Sequence, residues 1–390
     1  MNLRGALRVM LIWLVIAVSA CQSLGSISDR GRVGRTIAPK WQVDFGSVRT
    51  TLALAVVTPT VVIVDGVGTL VGLDPATGLQ KWVLPIPFPI PYAGVVLVDD
   101  ALGAVVAGDG YVVFDPRDGR SIRTWAEPRP LRVSSGAFPQ RLSDGRVVYV
   151  GQTRHLVALD ARTGRLDTLA QLPGDPARSS YVVSLAVYKD TIYAPVGTDA
   201  LRGARYRNTM PYRYAVQSRG LDSLRPDPSD SASLARWLRL FDGLLVASTD
   251  YAEASWLGFD RQTGERRWQV LATRGSLGPN SQVAVVGDTI FAGGNDGVAY
   301  VIHIPTGRLV RSFAIPNGLL NGVVVCGDDV YFNVIGEMTA MSRDGLRRAP
   351  FSGLTEGRNG FIGFFSSGAG ITVIGTSAGR WAAFPCAPPT

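Results

Sequence analysis

The chain has 390 residues, of which 46% are hydrophobic, 18% are charged and 45 are glycine. This composition excludes a disordered chain and is typical of a β-rich protein with many short strands and turns. The net charge is +8, but the basic residues are scattered along the chain instead of being concentrated on one element, so we predict no nucleic-acid partner.

The first 20 residues have the layout of a secretory signal peptide. A basic start precedes the apolar run VMLIWLVIAV at 9–18, which is too short to span a bilayer by itself. Small residues then precede Cys21, an order that resembles a bacterial lipobox. We predict a lipoprotein signal peptide at 1–20 and lipidation of Cys21, which would anchor the protein to a membrane. The alternatives are an ordinary signal peptide and a short membrane anchor.

Residues 21–38 are polar, contain glycine and have no periodicity, and they are predicted to form a flexible tether. Gln22 follows the lipobox cysteine, at the position where lipoproteins retained at the inner membrane carry Asp. In a Gram-negative source the protein is therefore expected at the outer membrane, facing the periplasm; in another source it would be a cell-surface lipoprotein. Export to an oxidising compartment makes Cys326 and Cys386 a candidate disulfide, with two separate thiols as the alternative.

The rest of the chain repeats one pattern: an apolar strand, a polar residue, a turn glycine four positions later and a second strand. In this turn the Asp carboxylate can accept hydrogen bonds from backbone N–H groups, and glycine tolerates the positive φ that the turn requires. The turn residues of the six copies are Asp74 and Gly78, Asp115 and Gly119, Asp160 and Gly164, Asp260 and Gly264, and then Gly307 and Gly345. Because another hairpin precedes each turn, about 40 residues hold four antiparallel strands, which predicts an all-β fold, the β-propeller.

The third and fourth turn glycines are 100 residues apart, so a further blade is hidden between them. The segment 181–197 has the pattern of a first hairpin, but about 200–240 lacks the repeat and is predicted to be an Arg-rich insertion with a short helix at 230–241. Arginine and tyrosine are enriched at protein-binding hot spots. The candidate partner-binding residues are Arg205, Tyr206, Arg207, Tyr212, Arg213 and Tyr214. A solvated elaboration without function is the alternative.

The two ends of the propeller region complement each other. The last unit, 361–384, has only three strands. The segment PKWQVDFG at 39–46 has the pattern of a fourth strand, but no first three strands precede it. We predict that this N-terminal strand pairs with the last unit and closes a single propeller domain at 39–390, since closure removes exposed strand edges. The ring then has eight blades, or seven if 181–270 is one elaborated blade.

The copies LVGLDPATGLQKW at 70–82 and WLGFDRQTGERRW at 256–268 resemble the repeat of the PQQ-like (pyrroloquinoline-quinone-type) propeller family. The resemblance covers about 39–384, although His303 replaces the Asp of its copy and 338–345 has none, so less ordered turns are expected there. It implies the fold but does not select a function, because the repeat serves both enzymes and scaffolds. Within the family, a lipobox, a tether and one propeller are similar to the lipoprotein subunit of the machinery that assembles β-barrel proteins into the outer membrane.

Enzymes of this family carry adjacent cysteines near the quinone, a calcium ion and a catalytic Asp. This chain has no adjacent cysteines, and its repeated Asp residues lie one per blade, which is typical of turn caps. Its two histidines, His155 and His303, lie in different blades and cannot form a zinc site by themselves. We predict no catalytic residue, metal or cofactor. Four tryptophans are predicted to share one strand position and to pack between blades: Trp41, Trp82, Trp125 and Trp268.

These patterns predict a non-enzymatic, monomeric envelope lipoprotein. Its propeller would be a protein-binding scaffold for unidentified envelope proteins, with outer-membrane protein assembly as the specific hypothesis. A PQQ-dependent quinoprotein dehydrogenase and a propeller that senses a glycan or peptide are the alternatives.

Overall fold

The described residues are almost entirely β-strands and the turns between them, and none of them is helical. The computed structural model describes residues 32–33, 37–45, 55–65, 68–88, 94–107, 109–126, 138–151, 154–174, 180–182, 184–198, 207–223, 235–249, 255–271, 283–293, 298–314, 320–327, 329–334, 337–342, 347–350, 362–376 and 379–386. Within these ranges there is no helix of the length and hydropathy needed to cross a bilayer.

Seven blades are each built from four antiparallel strands that follow one another along the chain. Blade 1 contains β3 (Ala55–Val57), β4 (Val62–Asp65), β5 (Thr69–Leu73) and β6 (Gln80–Pro85). Blade 2 contains β7 (Gly94–Asp99), β8 (Leu102–Ala107), β9 (Gly110–Phe114) and β10 (Ser121–Ala126). Blade 3 contains β11 (Gln140–Arg141), β12 (Val147–Val150), β13 (His155–Asp160) and β14 (Arg165–Gln171).

Blade 4 has a split first strand, because two short strands pair with different parts of the same neighbour. Its strands are β15 (Ser180–Val182), β16 (Ala186–Tyr188), β17 (Thr191–Thr198), β18 (Arg207–Ala215) and β19 (Gly220–Ser223). Blade 5 contains β20 (Ala235–Phe241), β21 (Leu244–Thr249), β22 (Ser255–Asp260) and β23 (Arg266–Leu271). Blade 6 contains β24 (Ala284–Val286), β25 (Thr289–Gly293), β26 (Val298–His303) and β27 (Arg308–Ala314).

Blade 7 contains β28 (Leu320–Cys326), β29 (Asp329–Val334), β30 (Glu337–Ser342) and β31 (Arg347–Pro350). The N-terminal strand β1 (Arg32–Val33) adds to its edge, parallel to β31. The remaining strands form a composite sheet, in which β2 (Trp41–Asp44) pairs antiparallel with the last of β32 (Ile362–Gly368), β33 (Ile371–Thr376) and β34 (Arg380–Pro385).

The hydrophobic core lies between the sheets, because alternate residues of a strand face opposite neighbours. In β13, Val157 and Leu159 pack against blade 2, whereas Leu156 and Ala158 pack against blade 4. Each sheet therefore buries both faces, and the described core clusters lie between successive sheets along the chain. One further cluster packs the composite sheet against blade 1. This radial arrangement of four-stranded sheets is a β-propeller.

Two sequence expectations about the segment 200–240 are wrong. Residues 207–223 are the second half of blade 4, so the expected insertion is largely part of the regular repeat. Residues 235–241 form the first strand of blade 5 instead of a helix, since Leu240 packs towards blade 4 and Phe241 packs towards blade 6. Residues 181–270 consequently belong to two sheets and not to one elaborated blade.

The termini also depart in part from expectation. The tether predicted at 21–38 includes β1, and Ile37 packs against the core cluster between blade 7 and the composite sheet. The signal peptide and Cys21 lie outside the described residues. Cys326, at the end of β28, and Cys386, just after β34, form a disulfide that joins blade 7 to the composite sheet.

Candidate functional site

In blades 1, 2, 3 and 5 the turn between the third and fourth strands begins with an Asp cap. In blade 1, Asp74 Oδ1 accepts hydrogen bonds from the backbone N–H groups of Ala76 and Thr77, both at 3.0 Å. The N–H of Gly78, which has a φ of 72°, donates to the Asp74 carbonyl at 2.8 Å. These bonds lower the pKa of Asp74, with the Thr77 backbone N–H as the largest cause.

The same turn geometry recurs around the propeller. Asp115, Asp160 and Asp260 each accept from the backbone N–H two residues later, at 3.0, 2.9 and 2.8 Å. Positive φ angles are found at the predicted turn glycines Gly78, Gly119, Gly164, Gly264 and Gly307. Gly345 lies outside the described residues.

The expectation of a less ordered turn at His303 is wrong. Its Nδ1 lies 2.8 Å from Thr306 Oγ1, and its carbonyl accepts from the N–H of Gly307 at 2.8 Å. The imidazole therefore replaces the Asp carboxylate as the side-chain partner of the turn threonine, and the backbone turn is unchanged.

A tryptophan of one sheet docks on the turn of the next. The indole N–H groups of Trp41, Trp82 and Trp268 donate to the carbonyls of Pro75, Pro116 and Ile304, at 3.0, 3.0 and 2.8 Å. Each acceptor is the residue directly after the capping position of its turn. All three indoles are at most 8% exposed, so they are inter-blade packing residues as predicted.

Trp125 does not share this position. Trp82 and Trp268 stand four residues after a turn glycine, and in blade 2 that place is taken by Arg123, whose Nη1 donates to the carbonyl of Thr163. Trp125 lies two residues further along β10 and is 49% exposed. The expectation of a buried role for Trp125 is therefore wrong.

Blade 4 replaces the docking tryptophan with a polar row across the sheet. Tyr193, Arg213 and Asp222 are register partners on β17, β18 and β19. Arg213 forms an ion pair with Asp222, and its Nη1 donates to the carbonyls of Arg261 and Gln262 at 3.4 and 3.1 Å. Arg261 directly follows the capping Asp260, so Arg213 bonds the turn carbonyl that a docking indole bonds at other junctions.

A cleft of about 380 Å³ opens where this row meets blade 5. We call it the blade 4–5 cleft, and it is lined by Thr191, Tyr193, Arg213, Ala215, Ser218, Gly220, Leu221, Asp222, Arg261 and Gln262. The Arg261 guanidinium carbon lies 4.2 Å from the centre of the Tyr188 ring, a distance typical of a cation–π contact. Burial raises the pKa of the Tyr193 hydroxyl, which keeps it a neutral donor at ordinary pH.

A second cleft, of about 630 Å³, lies at the next junction on the same end of the strands. This blade 5–6 cleft is lined by Phe241, Asp242, Gly243, Leu244, Arg267, Trp268, Gly287, Asp288, Ile304, Pro305 and Thr306. Arg267 pairs with Asp260 at 2.8 Å, and this bond is the largest cause lowering the pKa of that carboxyl. The two clefts therefore flank one turn of blade 5 and together form the candidate interaction face.

The structure separates the predicted partner-binding residues into different environments. Arg213 lines the blade 4–5 cleft, whereas Tyr214 is 1% exposed and packs towards blade 3, because neighbours in a strand point to opposite faces. The prediction that Tyr214 contacts a partner is therefore wrong. Arg207 and Tyr212 belong to β18, and Arg205 and Tyr206 lie outside the described residues.

Sequence reasoning missed Tyr193, Asp222 and Arg261. A usable signal was present for one of them, since the residue after the capping position is uncharged at 75, 116, 161 and 304 but is arginine in blade 5. Tyr193 and Asp222 became part of the site only through strand register. Across the described ranges, no three His, Cys, Asp or Glu residues lie close enough together to hold a metal ion.

Solved structures similar to this chain share its fold at low sequence identity. A computationally designed protein, Ika8, matches with a TM-score of 0.69 and 14% identity over 90% of this chain and 100% of its own. The C-terminal WD40 domain of Sif2 matches with a TM-score of 0.64 and 10% identity, over 91% and 99% of the two chains. BamB from Moraxella catarrhalis matches with a TM-score of 0.50 and 16% identity, over 84% and 82%.

Comparison with curated protein sequences returns no match. A family model does match, and its two matched segments, residues 30–202 and 239–348, together span well over half of the chain. They include the capped turns, the docking tryptophans and Arg261. The chain belongs to the PQQ-like repeat family described as "Outer membrane protein assembly factor BamB".

Proposed function

We propose that this protein is a non-enzymatic, lipid-anchored scaffold that binds other envelope proteins during outer-membrane protein assembly. The family match carries the proposal, because it spans most of the propeller and its description names this role. The two clefts support it, since grooves at blade junctions with arginine and aromatic residues suit the recognition of protein segments. Anchoring through Cys21 would hold the propeller near the membrane.

Affinity capture from envelope extracts tests the scaffold function. The lipidated full-length chain, with a C-terminal tag, is expected to enrich outer-membrane β-barrel proteins or components that assemble them. Beads carrying the tag alone and beads carrying the heat-denatured chain are the controls. Recovery of the same proteins on the control beads, or of no envelope protein, would contradict the proposal.

Lipid anchoring at the outer membrane is a separate part of the proposal. Incorporation of labelled palmitate and recovery in the outer-membrane fraction are expected for the natural chain, and both should be lost in Cys21→Ala. A Cys21→Ala chain that stays in the membrane fraction would show that another segment anchors the protein.

The alternatives predict different results. A quinoprotein dehydrogenase would bind pyrroloquinoline quinone with calcium and show dye-linked oxidation of an alcohol or sugar. A sensor propeller would show saturable binding to one member of a glycan or peptide array. We favour the scaffold because the repeated Asp residues are committed to turn hydrogen bonds, which leaves them poorly suited to catalysis.

We also propose that the composite sheet is an eighth blade and that β2 closes the ring. Four register pairs between β2 and β34, the ion pair of Asp44 with Arg380 and the docking of Trp41 on blade 1 support this closure. A chain that begins at residue 38 should keep cooperative thermal unfolding. A chain that begins at residue 47 should lose it, because the edge of β34 becomes exposed. Equal melting curves for the two truncations would contradict closure by β2.

A further inference from the structure

The junction between blades 4 and 5 is packed differently from the tryptophan-docked junctions. Where Trp82 or Trp268 covers the next turn, the indole N–H satisfies the turn carbonyl. At the blade 4–5 junction Arg213 satisfies the carbonyl of Arg261, but a guanidinium on a narrow stem covers less surface than an indole. The cleft at this junction has a volume of about 380 Å³, large enough for one or two side chains of a partner.

The second arginine of this cleft is only partly satisfied. Arg261 Nε is buried and has no hydrogen-bond partner among the described residues. A buried donor without an acceptor is unfavourable, so an acceptor that reaches this guanidinium would be favoured. The contact with the Tyr188 ring holds the guanidinium in place without using up its donors.

The charges of the cleft are unbalanced. Arg213 and Arg261 contribute two positive charges, and Asp222 is the only acidic lining residue. Since Arg213 is already bonded to Asp222 through two of its nitrogens, the excess charge belongs to Arg261. One excess positive charge matches a carboxylate better than a dianionic phosphate, and guanidinium groups bind carboxylates through paired hydrogen bonds.

We infer that the blade 4–5 cleft binds an acidic side chain, Asp or Glu, in a peptide segment of a partner protein. Arg261 is the main recognition residue, and the Tyr193 hydroxyl, which is neutral, is a further donor in the lining. This inference rests on the proposed scaffold function and adds to it the chemistry of the segment that is bound. It places the specificity at the one junction described here where an arginine follows the capping Asp.

Titration with defined peptides tests the inference. The full-length lipidated chain in non-ionic detergent is titrated with a blocked hexapeptide of alternating Gly and Glu, and separately with the same peptide carrying Gln. Isothermal titration calorimetry should show saturable binding of the Glu peptide only. Arg261→Gln should weaken that binding about tenfold or more, because a charge-assisted hydrogen bond is lost. Arg261→Lys should retain part of the affinity.

The matched control is Arg266→Gln, which removes the same charge from an exposed position on β23 outside both clefts. It should bind the Glu peptide as the natural chain does. Unfolding curves of the three variants should agree, so that a loss of binding is not a loss of folding.

Three outcomes would overturn the inference: no binding of the Glu peptide, equal binding of the Gln peptide, or full affinity in Arg261→Gln. Binding of inorganic phosphate without binding of the Glu peptide would assign the cleft to another anion. The scaffold function is tested separately, by affinity capture of envelope proteins with the Arg261→Gln chain. If this variant no longer binds the peptide but still captures envelope proteins, the scaffold function does not depend on this cleft.

Discussion

At the residue scale, the tryptophans show how one position decides between packing and exposure. Counting from the turn glycine, the fourth residue is the docking position, and Trp82 and Trp268 occupy it. Trp125 is the sixth residue after its glycine and lies exposed on the edge strand of its blade. The distance from the turn glycine can be read from the sequence, but the presence of a tryptophan near the end of a repeat does not by itself identify the docking position.

Trp268→Ala is expected to lower the free energy of unfolding by about 3–5 kcal/mol, since it removes a buried indole and leaves a cavity against the turn of blade 6. Trp125→Ala, the matched control, should change it by about 1 kcal/mol or less because the side chain is half exposed. Urea denaturation followed by circular dichroism measures both. A similar loss for the two variants would contradict the assignment of docking positions.

Two buried tyrosines differ in the hydrogen bonding of their hydroxyl groups. Tyr111 donates to the carbonyl of Gly164 at 2.8 Å, whereas the Tyr214 hydroxyl has no partner among the described residues. Tyr214→Phe should therefore be neutral or stabilising by up to about 1 kcal/mol, because it removes an unsatisfied polar group. Tyr111→Phe should be destabilising by about 1 kcal/mol. Equal shifts in denaturation midpoint would contradict this reading.

At the scale of the element, the capped turn was the most predictable unit of the fold. Its Asp, Thr and Gly interact within five residues, so the pattern is complete in the sequence. The equivalent turn of blade 4 escaped detection because Ala215 stands where the Asp would be and Arg219 takes the positive φ of 54°. With neither signal residue present, only pairing of β18 with β17 and β19 defines that half of the blade.

The turn of blade 2 provides a prediction about pH. Asp115 is buried, and its hydrogen bond with Arg117 lowers its pKa from 3.8 to about 2. A lowered folded-state pKa contributes stability that is fully present above pH 3.8 and is lost as the pH falls through about 2. Because Arg117 is largely exposed, solvent screening leaves an expected contribution of about 1 kcal/mol.

Asp115→Asn should therefore destabilise the protein at pH 7, and the difference from the natural chain should shrink as the pH is lowered below 3.8. Asp118→Asn, in the same turn but exposed, is the control and should have a smaller effect at every pH. Urea denaturation between pH 3 and pH 7 measures the trend. A constant difference across this range would show that the charge of Asp115 is not the cause.

At the scale of the whole molecule, local repeats predicted the propeller, but the cleft could not be predicted. Apart from the 100-residue interval between Gly164 and Gly264, the capped turns recur about every 40 residues, and this periodicity is sufficient to indicate stacked blades. The blade 4–5 cleft depends instead on which residues of three strands fall in one row, as Tyr193, Arg213 and Asp222 do. Register of this kind is set by the whole sheet and leaves no short motif.

The contact between the composite sheet and blade 7 includes a covalent bond. The disulfide of Cys326 with Cys386 links two residues 60 positions apart, and the hydroxyl of Tyr331 donates to the carbonyl of Pro385 at 3.0 Å beside it. Cross-linking a segment of this length restricts the unfolded chain, which stabilises the folded state by about 2–4 kcal/mol.

The double variant Cys326→Ser, Cys386→Ser should accordingly melt at a lower temperature and lose about 2–4 kcal/mol of unfolding free energy. Reduction of the natural chain should produce the same shift, and the reductant should have no effect on the double variant. If reduction lowered the melting temperature of both chains equally, the shift would not come from this bond. If the double variant melted with the natural chain, the sheets at this junction would be held by packing alone, chiefly by the core that includes Tyr331 and Phe384.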